Sequence, residues 1–176
     1  KFFEFNIAKV IRDVRQDNIP ISSSIGQKSS NIFGSSSIGI TDFFSLNYDF
    51  SLDNDFNTFE HNSIGTKLSL FNLITEFNYR ENAGKMGGGN VLENKTTLNL
   101  RDKNFLTFQT RRNREINLTE YYDLVYEYKN DCLTAGIKYK KTYYQDRDIK
   151  PNEDLLFTIT LFPLTTYEHD AEDLVN

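Results

Sequence analysis

Strict alternation of apolar and polar residues runs through most of the chain from residue 42 onward. In the first such run, Phe44, Leu46, Tyr48, Phe50 and Leu52 alternate with Ser, Asn and Asp residues. Because successive side chains of a β-strand point to opposite faces, this pattern predicts a strand with one apolar and one polar face. Further runs lie at 64–70, 73–79, 92–100, 106–110, 122–128, 133–139 and 155–161. The sequence therefore predicts an all-β chain of about eight to ten antiparallel, up-and-down strands.

The links between these runs alternate in length. Long links are predicted at 81–90, 112–118 and 145–152, and short links at 71–72, 101–103 and 130–131. The link at 53–55 is shorter than its place in this series requires. Outer-membrane barrels carry short turns at one end of their strands and long loops at the other. The alternation thus favours a transmembrane outer-membrane β-barrel, whose strands need about 9–11 residues each.

Composition excludes two classes of protein. The chain has 20 Lys+Arg against 25 Asp+Glu and a net charge of −5, whereas a nucleic-acid partner requires a basic face. No stretch approaches the ~20 apolar residues of a membrane-spanning helix. The 38% of hydrophobic residues is low for a packed core, yet the 14% of aromatic residues is too high for disorder. We therefore predict neither a nucleic-acid binder nor a helical membrane protein.

The first 41 residues leave two alternatives open. Apolar residues at 3, 7, 10, 11 and 14 fit one face of a helix, but Phe2–Asn6 is equally compatible with a strand. Residues 21–39 are rich in Ser and Gly, and their composition predicts a loop. If 2–13 and 31–40 are both strands, the alternation of link lengths extends to them. The chain is divided into a sheet-forming region, 1–164, and a polar C-terminal tail, 165–176.

No combination of residues predicts an active site or a metal centre. His61 and His169 have no Cys or carboxylate at ligand spacing. The series Asp53, Asp55 and Asn57 resembles the start of a calcium loop but lacks its Gly and final Glu, so a hairpin turn is predicted there. We predict that the protein is not an enzyme and has no metal or cofactor.

Arg111, Arg112 and Arg114 form the densest basic cluster of the chain. Arginine offers paired donors to phosphate, so one interpretation is a site for an anionic lipid or a sugar phosphate. The other interpretation places these charges on a polar barrel face or at the base of a loop. The net acidic charge favours the second interpretation.

Cys132 is the one cysteine of the chain, so an internal disulfide is excluded. It lies at a predicted short turn, at the same end of the strands as the C-terminus. A small buried apolar residue, a free thiol and half of a bridge to another domain are the three alternatives. Asp131 beside it makes burial the least natural of them.

Several segments resemble one known family. Residues Arg112–Tyr122 and Tyr126–Gly136, followed by Tyr143–Asp148 and Phe157–Leu164, are similar to the C-terminal barrel region of the lipopolysaccharide-assembly outer-membrane family LptD, of the alphaproteobacterial type. Asp17–Pro20 and Ser29–Gly34 resemble it as well. The resemblance is strong over 111–166 and weak before residue 40.

This resemblance implies a role in lipopolysaccharide transport and membrane biogenesis at the outer membrane of a Gram-negative bacterium. The family forms a barrel of about two dozen strands, within the size range of outer-membrane barrels, so the resemblance implies that this chain is an open part of a large transmembrane outer-membrane β-barrel. An LptA-like periplasmic bridge delivers lipopolysaccharide to its N-terminal domain, an LptE-like lipoprotein plugs the lumen, and outer-membrane lipid surrounds it. Lipopolysaccharide leaves through a seam between the terminal strands, of which 153–163 would form one side.

The resemblance also implies a role for Cys132. Family members often carry adjacent cysteines near this turn that pair with the N-terminal domain. Here Asp131 precedes a single cysteine. We therefore expect one interdomain disulfide, with Cys132 and the C-terminus on the periplasmic side.

Two alternative functions remain at this point. A soluble ligand-binding β-barrel or sandwich would direct the apolar face inward, and alternation is the same in both arrangements. An unrelated outer-membrane porin or receptor would share the outward apolar face. In the membrane interpretation, Leu133, Ala135, Ile137 and Tyr139 contact lipid while Lys138 faces the lumen, so Leu133→Arg should impair assembly and Lys138→Ala should not.

Overall fold

The computed structural model of the chain describes residues 1–20, 23–83, 89–143, 151–162 and 165–170. These residues form eleven β-strands and one short 3-10 helix, Ser24–Gly26. The strands are β1 (Phe2–Ala8), β2 (Ile32–Thr41), β3 (Phe44–Leu52), β4 (Phe59–Leu70), β5 (Leu73–Asn82), β6 (Gly89–Arg101), β7 (Asn104–Asn113), β8 (Leu118–Lys129), β9 (Leu133–Thr142), β10 (Asn152–Leu161) and β11 (Thr165–Asp170). Within these residues, no helix is long and apolar enough to cross a membrane.

The strands follow one another in sheet order from β1 to β11. The pairings from β1 to β4 and from β7 to β11 are antiparallel. The all-β, up-and-down prediction is confirmed, and the eight predicted runs correspond to β3 to β10. Most strands extend beyond the alternating runs because backbone hydrogen bonding continues where the side chains are no longer apolar.

Link lengths alternate without exception along the chain. The longer links are 9–31, 53–58, 83–88, 114–117 and 143–151, and the shorter ones are 42–43, 71–72, 102–103, 130–132 and 162–164. The link predicted as 53–55 is therefore a longer one. Its fold is a hairpin turn, as predicted, because Asp53 Oδ1 accepts the backbone N–H groups of Asn57 and Thr58 at 2.8 and 3.1 Å. Phe56 takes a positive φ of 61° within it.

The first 41 residues form two strands, so the helical alternative for 3–14 is wrong. The hairpin of β1 and β2 continues into the link 9–31, where Ile11 pairs with Ser29 and Arg12 N donates to Lys28 O at 2.8 Å. Ile11 and Val14 are 79% and 73% exposed. A helix here would have no apolar surface on which to bury its stripe, whereas the hairpin satisfies the backbone directly.

The structure also differs from the sequence-based division near the C-terminus. Residues 165–170, assigned above to the polar tail, form β11 and pair with β10 from Leu156↔Asp170 to Leu161↔Thr165. A strand at the end of the sheet order needs backbone pairing more than apolar side chains. Within the segment 153–163, residues 156–161 are consequently paired on both sides, and 171–176 lie outside the described residues.

The strands group into two compact units. Unit 1 contains Lys1–Leu68 and Phe77–Leu92, and unit 2 contains Ser69–Glu76 and Glu93–Asn176. Each unit has an apolar and a polar face, because register partners on neighbouring strands lie on the same side of a sheet. In unit 2, for example, Phe108 pairs with Leu124, and Ile137 pairs with both Tyr126 and Phe157.

Candidate functional site

The apolar face of unit 2 is open to the surroundings. The exposed fractions of Phe108, Leu124, Ile137 and Ile159 are 39%, 44%, 42% and 45%. The polar side chains that alternate with them are more buried, with Thr107 at 7% and Asp123 at 5%. This burial is the reverse of that in a soluble domain, where apolar side chains form the interior.

Unit 1 exposes its apolar face in the same way. Phe3, Phe5 and Ile7 are 68%, 51% and 62% exposed, and Ile64 is 40% exposed. On the opposite face Ser51 is only 2% exposed. In the described part of the chain, the largest fully buried side chain is that of a serine, Ser30. Rows of Leu, Ile, Phe and Tyr therefore do not form a core.

Aromatic residues lie towards both ends of the apolar face in unit 2. Towards the short links, Tyr126 Oη donates to Asn104 Oδ1 at 2.7 Å. Towards the long links, the ring of Tyr122 stacks on Phe108 with centroids 6.1 Å apart and meets Tyr143 edge-on at 5.9 Å. Membrane barrels carry aromatic girdles at the two bilayer interfaces. The placement of aromatic residues towards both ends of the strands was not predicted above, although the spacing of Tyr122 and Tyr126 on β8 was a signal for it in the sequence.

The polar face of unit 2 carries ion pairs. Lys138 Nζ lies 3.0 Å from Asp123 Oδ2. Arg111 Nε lies 2.7 Å from Glu120 Oε2, without hydrogen-bond geometry, and Arg111 Nη1 lies 3.6 Å from Glu93 Oε1. This face thus presents paired charges of both signs.

The basic cluster is not assembled on one surface. Arg111 and Arg112 are consecutive residues of β7, so their side chains leave opposite faces. Arg112 donates from Nη2 to Asn117 Oδ1. Arg114 belongs to the link 114–117. The three arginines therefore do not converge on one phosphate-sized group, and the pairs formed by Arg111 correspond to the polar-face interpretation.

The polar face of unit 1 holds a buried hydrogen-bond network without a counterpart in the sequence analysis. Asn31 Nδ2 donates to Ser51 Oγ at 3.1 Å and to Glu60 Oε2 at 2.6 Å. Asn31 and Glu60 are each 6% exposed. Ser24 Oγ accepts the backbone N–H of Asn31 at 3.1 Å. Composition predicted an ordinary loop here, because Ser and Asn residues that cap buried backbone are indistinguishable in sequence from solvated ones.

Cys132 is an exposed free thiol, so the least favoured of its three alternatives, a small buried residue, is excluded. The side chain of Asn130 shapes its turn, because Oδ1 accepts the N–H groups of Cys132 and Leu133 at 3.0 and 2.8 Å. Cys132 O accepts Phe162 N at 2.9 Å. Cys132 therefore lies at the end of the strands where the short link 130–132 meets Phe162, the residue that follows β10.

A metal centre is not evident in the part of the chain that the structure describes, where no three His, Cys, Asp or Glu side chains group together. His61 Nδ1 instead lies 2.7 Å from Asn82 Oδ1. No known family model matches the sequence, and no curated protein is significantly similar to it.

Proposed function

We propose that this chain is part of the outer-membrane translocon that inserts lipopolysaccharide into the outer leaflet. The observation that carries the membrane part of the proposal is the exposure of the apolar rows in both units while polar side chains are buried. The lipopolysaccharide part rests on the resemblance of residues 111–166 to the LptD family.

Strand dimensions support the membrane part. β9 has 10 residues. At about 3.3 Å per residue and a tilt of about 40°, such a strand covers about 25 Å along the membrane normal, the height of the apolar band of an outer-membrane barrel.

In this proposal the polar faces line a lumen through which the sugar head group passes, while acyl chains move along a seam. Lipid cannot hydrogen-bond to backbone groups, so the strands of the parent protein must close into a barrel. β1 and β11, the first and last in the order, would be completed by strands from elsewhere. The seam strand would then be β11 rather than β10.

The soluble-barrel alternative requires the apolar rows to face inward, and their exposure argues against it. An outer-membrane porin or receptor would expose the same rows. Only an assay of lipopolysaccharide transport separates that alternative from the translocon. In the translocon, an LptE-like plug and an LptA-like bridge would act through the parent protein, and no reaction is catalysed.

The test of function uses the full parent protein in its own bacterium. Depletion of the parent should stop newly made lipopolysaccharide from reaching the cell surface and leave it in the inner membrane. Re-expression of the wild-type parent should restore surface lipopolysaccharide, and Ile137→Leu, which keeps an apolar side chain on the lipid face, should restore it equally. Normal surface delivery in depleted cells would refute the translocon and favour a porin or receptor.

Thiol labelling tests the orientation independently. Cys132 at a short link should react with an impermeant maleimide only after the outer membrane is permeabilised and disulfides are reduced. In a Cys132→Ser background, Glu115→Cys in the link 114–117 should react in intact cells. Labelling of Cys132 from outside without permeabilisation contradicts the assignment of this thiol to the periplasmic side.

A further inference from the structure

The segment Ser23–Asn31, here named the strap, is the return half of the longest link in the chain, 9–31. It contains the 3-10 helix Ser24–Gly26, whose Ser24 and Gly26 are both buried. Of the buried polar residues, Ser24, Ser30 and Asn31 belong to the strap, and Ser51 and Glu60 lie beneath it. An ordinary surface link does not bury its hydroxyl and amide groups in this way.

The strap is held from both of its sides. On the side of the outgoing chain, Ser30 N donates to Val10 O at 2.9 Å and Val10 N donates to Ser30 Oγ at 2.8 Å. On the side of the next hairpin, Ser29 Oγ donates to Asn54 Oδ1 at 3.1 Å. Lys9 Nζ reaches the same oxygen of Asn54 at 2.7 Å. The links 9–31 and 53–58 are thereby tied to each other.

The strap lies against the polar face of unit 1. Ser51 follows Phe50 of the apolar face on β3, so its side chain leaves the opposite, polar face. Glu60 is the residue of β4 left unpaired where the register shifts between Ser51↔His61 and Leu52↔Phe59. Asn31 bonds to both side chains through one amide nitrogen. The amide of Asn31 therefore joins the strap to the sheet through two hydrogen bonds whose acceptors are both buried.

We infer that the strap is a seated cover over the long-link end of the polar face in unit 1, with Asn31 as the residue that latches it. Releasing the strap requires breaking both bonds of the Asn31 amide, which takes from Glu60 the donor it has in the strap. The strap's place at the outer mouth of a lumen rests on the proposed function, whereas the latch itself does not.

Hydrogen exchange on the full parent protein in detergent tests the latch. Asn31→Asp keeps the size of the side chain but places a second carboxylate beside Glu60. It should accelerate exchange in peptides covering 23–31 by about tenfold or more, because the hydrogen bond is replaced by repulsion. Asn31→Ala should show a smaller acceleration. Glu60→Gln should stay within about twofold of wild type, because its amide oxygen still accepts from Asn31.

Asn47→Ala is the matched control. Asn47 is an exposed asparagine of β3 on the same polar face, where its Oδ1 accepts from Ser37 Oγ at 2.7 Å. It should leave exchange of 23–31 at the wild-type rate. Wild-type exchange in Asn31→Asp would overturn the latch. If Asn31→Asp fails to assemble, hydrogen exchange of 23–31 is measured in Asn31→Ala instead, and exchange at the wild-type rate in that variant would overturn the latch.

Sensitivity of cells to a large hydrophilic antibiotic tests the covering role. Asn31→Asp should increase this sensitivity several-fold relative to Asn47→Ala. Faster exchange with unchanged sensitivity would overturn the role as a cover. Failure of the proposed function is recognised separately, because surface lipopolysaccharide would then be normal in cells depleted of the parent.

Discussion

Units 1 and 2 expose the same kind of apolar face but bury polar groups on the other face by different means. In unit 1, Asn31, Ser51 and Glu60 are covered by a chain segment and joined by hydrogen bonds from one neutral amide. In unit 2, Asp123 is buried among neighbouring strand side chains and paired with Lys138. Both units thus bury a carboxylate, but Glu60 is compensated by a hydrogen bond from a neutral amide and Asp123 by an opposite charge at short distance.

This difference shows how a sheet without an apolar core keeps its polar face ordered. The hydrogen bonds to Ser51 and Glu60 need no opposite charge, but they depend on the strap staying in place. Ion pairs need no cover, but each charged partner depends on the other. The two units should therefore respond differently to the loss of a side chain and to salt.

The largest expected effect tests the exposed apolar face that units 1 and 2 have in common. Ile137→Arg in unit 2 and Ile64→Arg in unit 1 each place a cation on the apolar face, where the wild-type residues are 42% and 40% exposed. Each should lower the stability of the membrane-inserted protein by about 2–4 kcal/mol, the cost of Arg near the bilayer midplane. Unfolding of the parent protein in lipid bilayers measures this cost.

Ile→Leu at each position is the control for altered packing. Leu133→Arg should cost only about 0–1 kcal/mol, because Leu133 begins β9 beside a short link and lies near the interface. An arginine at position 137 therefore tests more strongly whether this face contacts lipid than an arginine at position 133, the substitution chosen from the sequence. Equal tolerance of Arg at 64 and at Ser63, on the opposite face, contradicts the assignment of faces.

The second effect concerns Lys138. The sequence alone predicted that Lys138→Ala would be tolerated, and the structure changes this expectation. Lys138→Ala removes the ion-pair partner of Asp123, which is 5% exposed, and should not be neutral. We expect a loss of about 1–3 kcal/mol, below the cost for a fully buried pair because Lys138 is partly solvated. Adding Asp123→Asn should recover part of it. Denaturant titration of the single and double variants measures the coupling.

Lys140→Ala is the matched control on the same strand. Lys140 is the register partner of Asp123, but Lys138 forms the ion pair with Asp123, and Lys140 Nζ instead lies 5.8 Å from the centroid of the Tyr121 ring. It should cost under about 1 kcal/mol. If Lys138→Ala and Lys140→Ala cost the same, the burial of Asp123 does not depend on its pair.

A smaller effect is expected for Ser51→Ala in unit 1. Ser51 Oγ is one of two acceptors of the Asn31 amide, so Glu60 still holds the strap. The loss should be about 1 kcal/mol, the net value of one buried hydrogen bond. Thermal unfolding of the parent protein measures it, with Ser45→Ala on the same strand as control. A loss as large as that of Asn31→Asp would mean that the network does not depend on the amide alone.

The smallest expected effect is a difference between units 1 and 2 in how salt changes the cost of a substitution. Arg111→Gln removes a partly exposed ion pair with Glu120 and should cost about 0.5 kcal/mol at low ionic strength. At about 1 M salt this cost should nearly vanish, because the screening length falls to about 3 Å. The cost of Ser51→Ala should not change with salt. Equal salt dependence of the two variants would contradict the contrast between the neutral Asn31–Ser51 hydrogen bond and the Arg111–Glu120 ion pair.

Alternation in the sequence was sufficient to predict β3 to β10 because each of these strands separates apolar from polar side chains along its length. It was insufficient for β1 and β2. The apolar residues of 3–14 also fit a helix, and β2 carries the serines and glycines typical of loops. β11 has no apolar row, and its pairing to β10 is a backbone interaction that composition does not reveal.

The candidate site was predictable only in part. The exposed position of Cys132 follows from its neighbours in the sequence, since Asn130 and Asp131 favour a turn. The separation of Arg111 from Arg112 also follows from strand geometry. The Asn31 network was not predictable, because its members lie far apart in sequence and are joined only by the register of β2, β3 and β4.

Local side-chain order alone determined that this chain forms long antiparallel strands with two chemically different faces joined by links of alternating length. Only the tertiary structure decided which face is exposed, because a period of two is the same for an apolar face turned inward or outward. The tertiary structure also decided which polar side chains are buried. Their burial depends on which other chain segments pack over a strand, and the sequence of the strand does not specify those segments. Asn31 illustrates this: as an isolated residue it is polar and loop-like, but at the end of the strap it is 6% exposed and bonded to two strands.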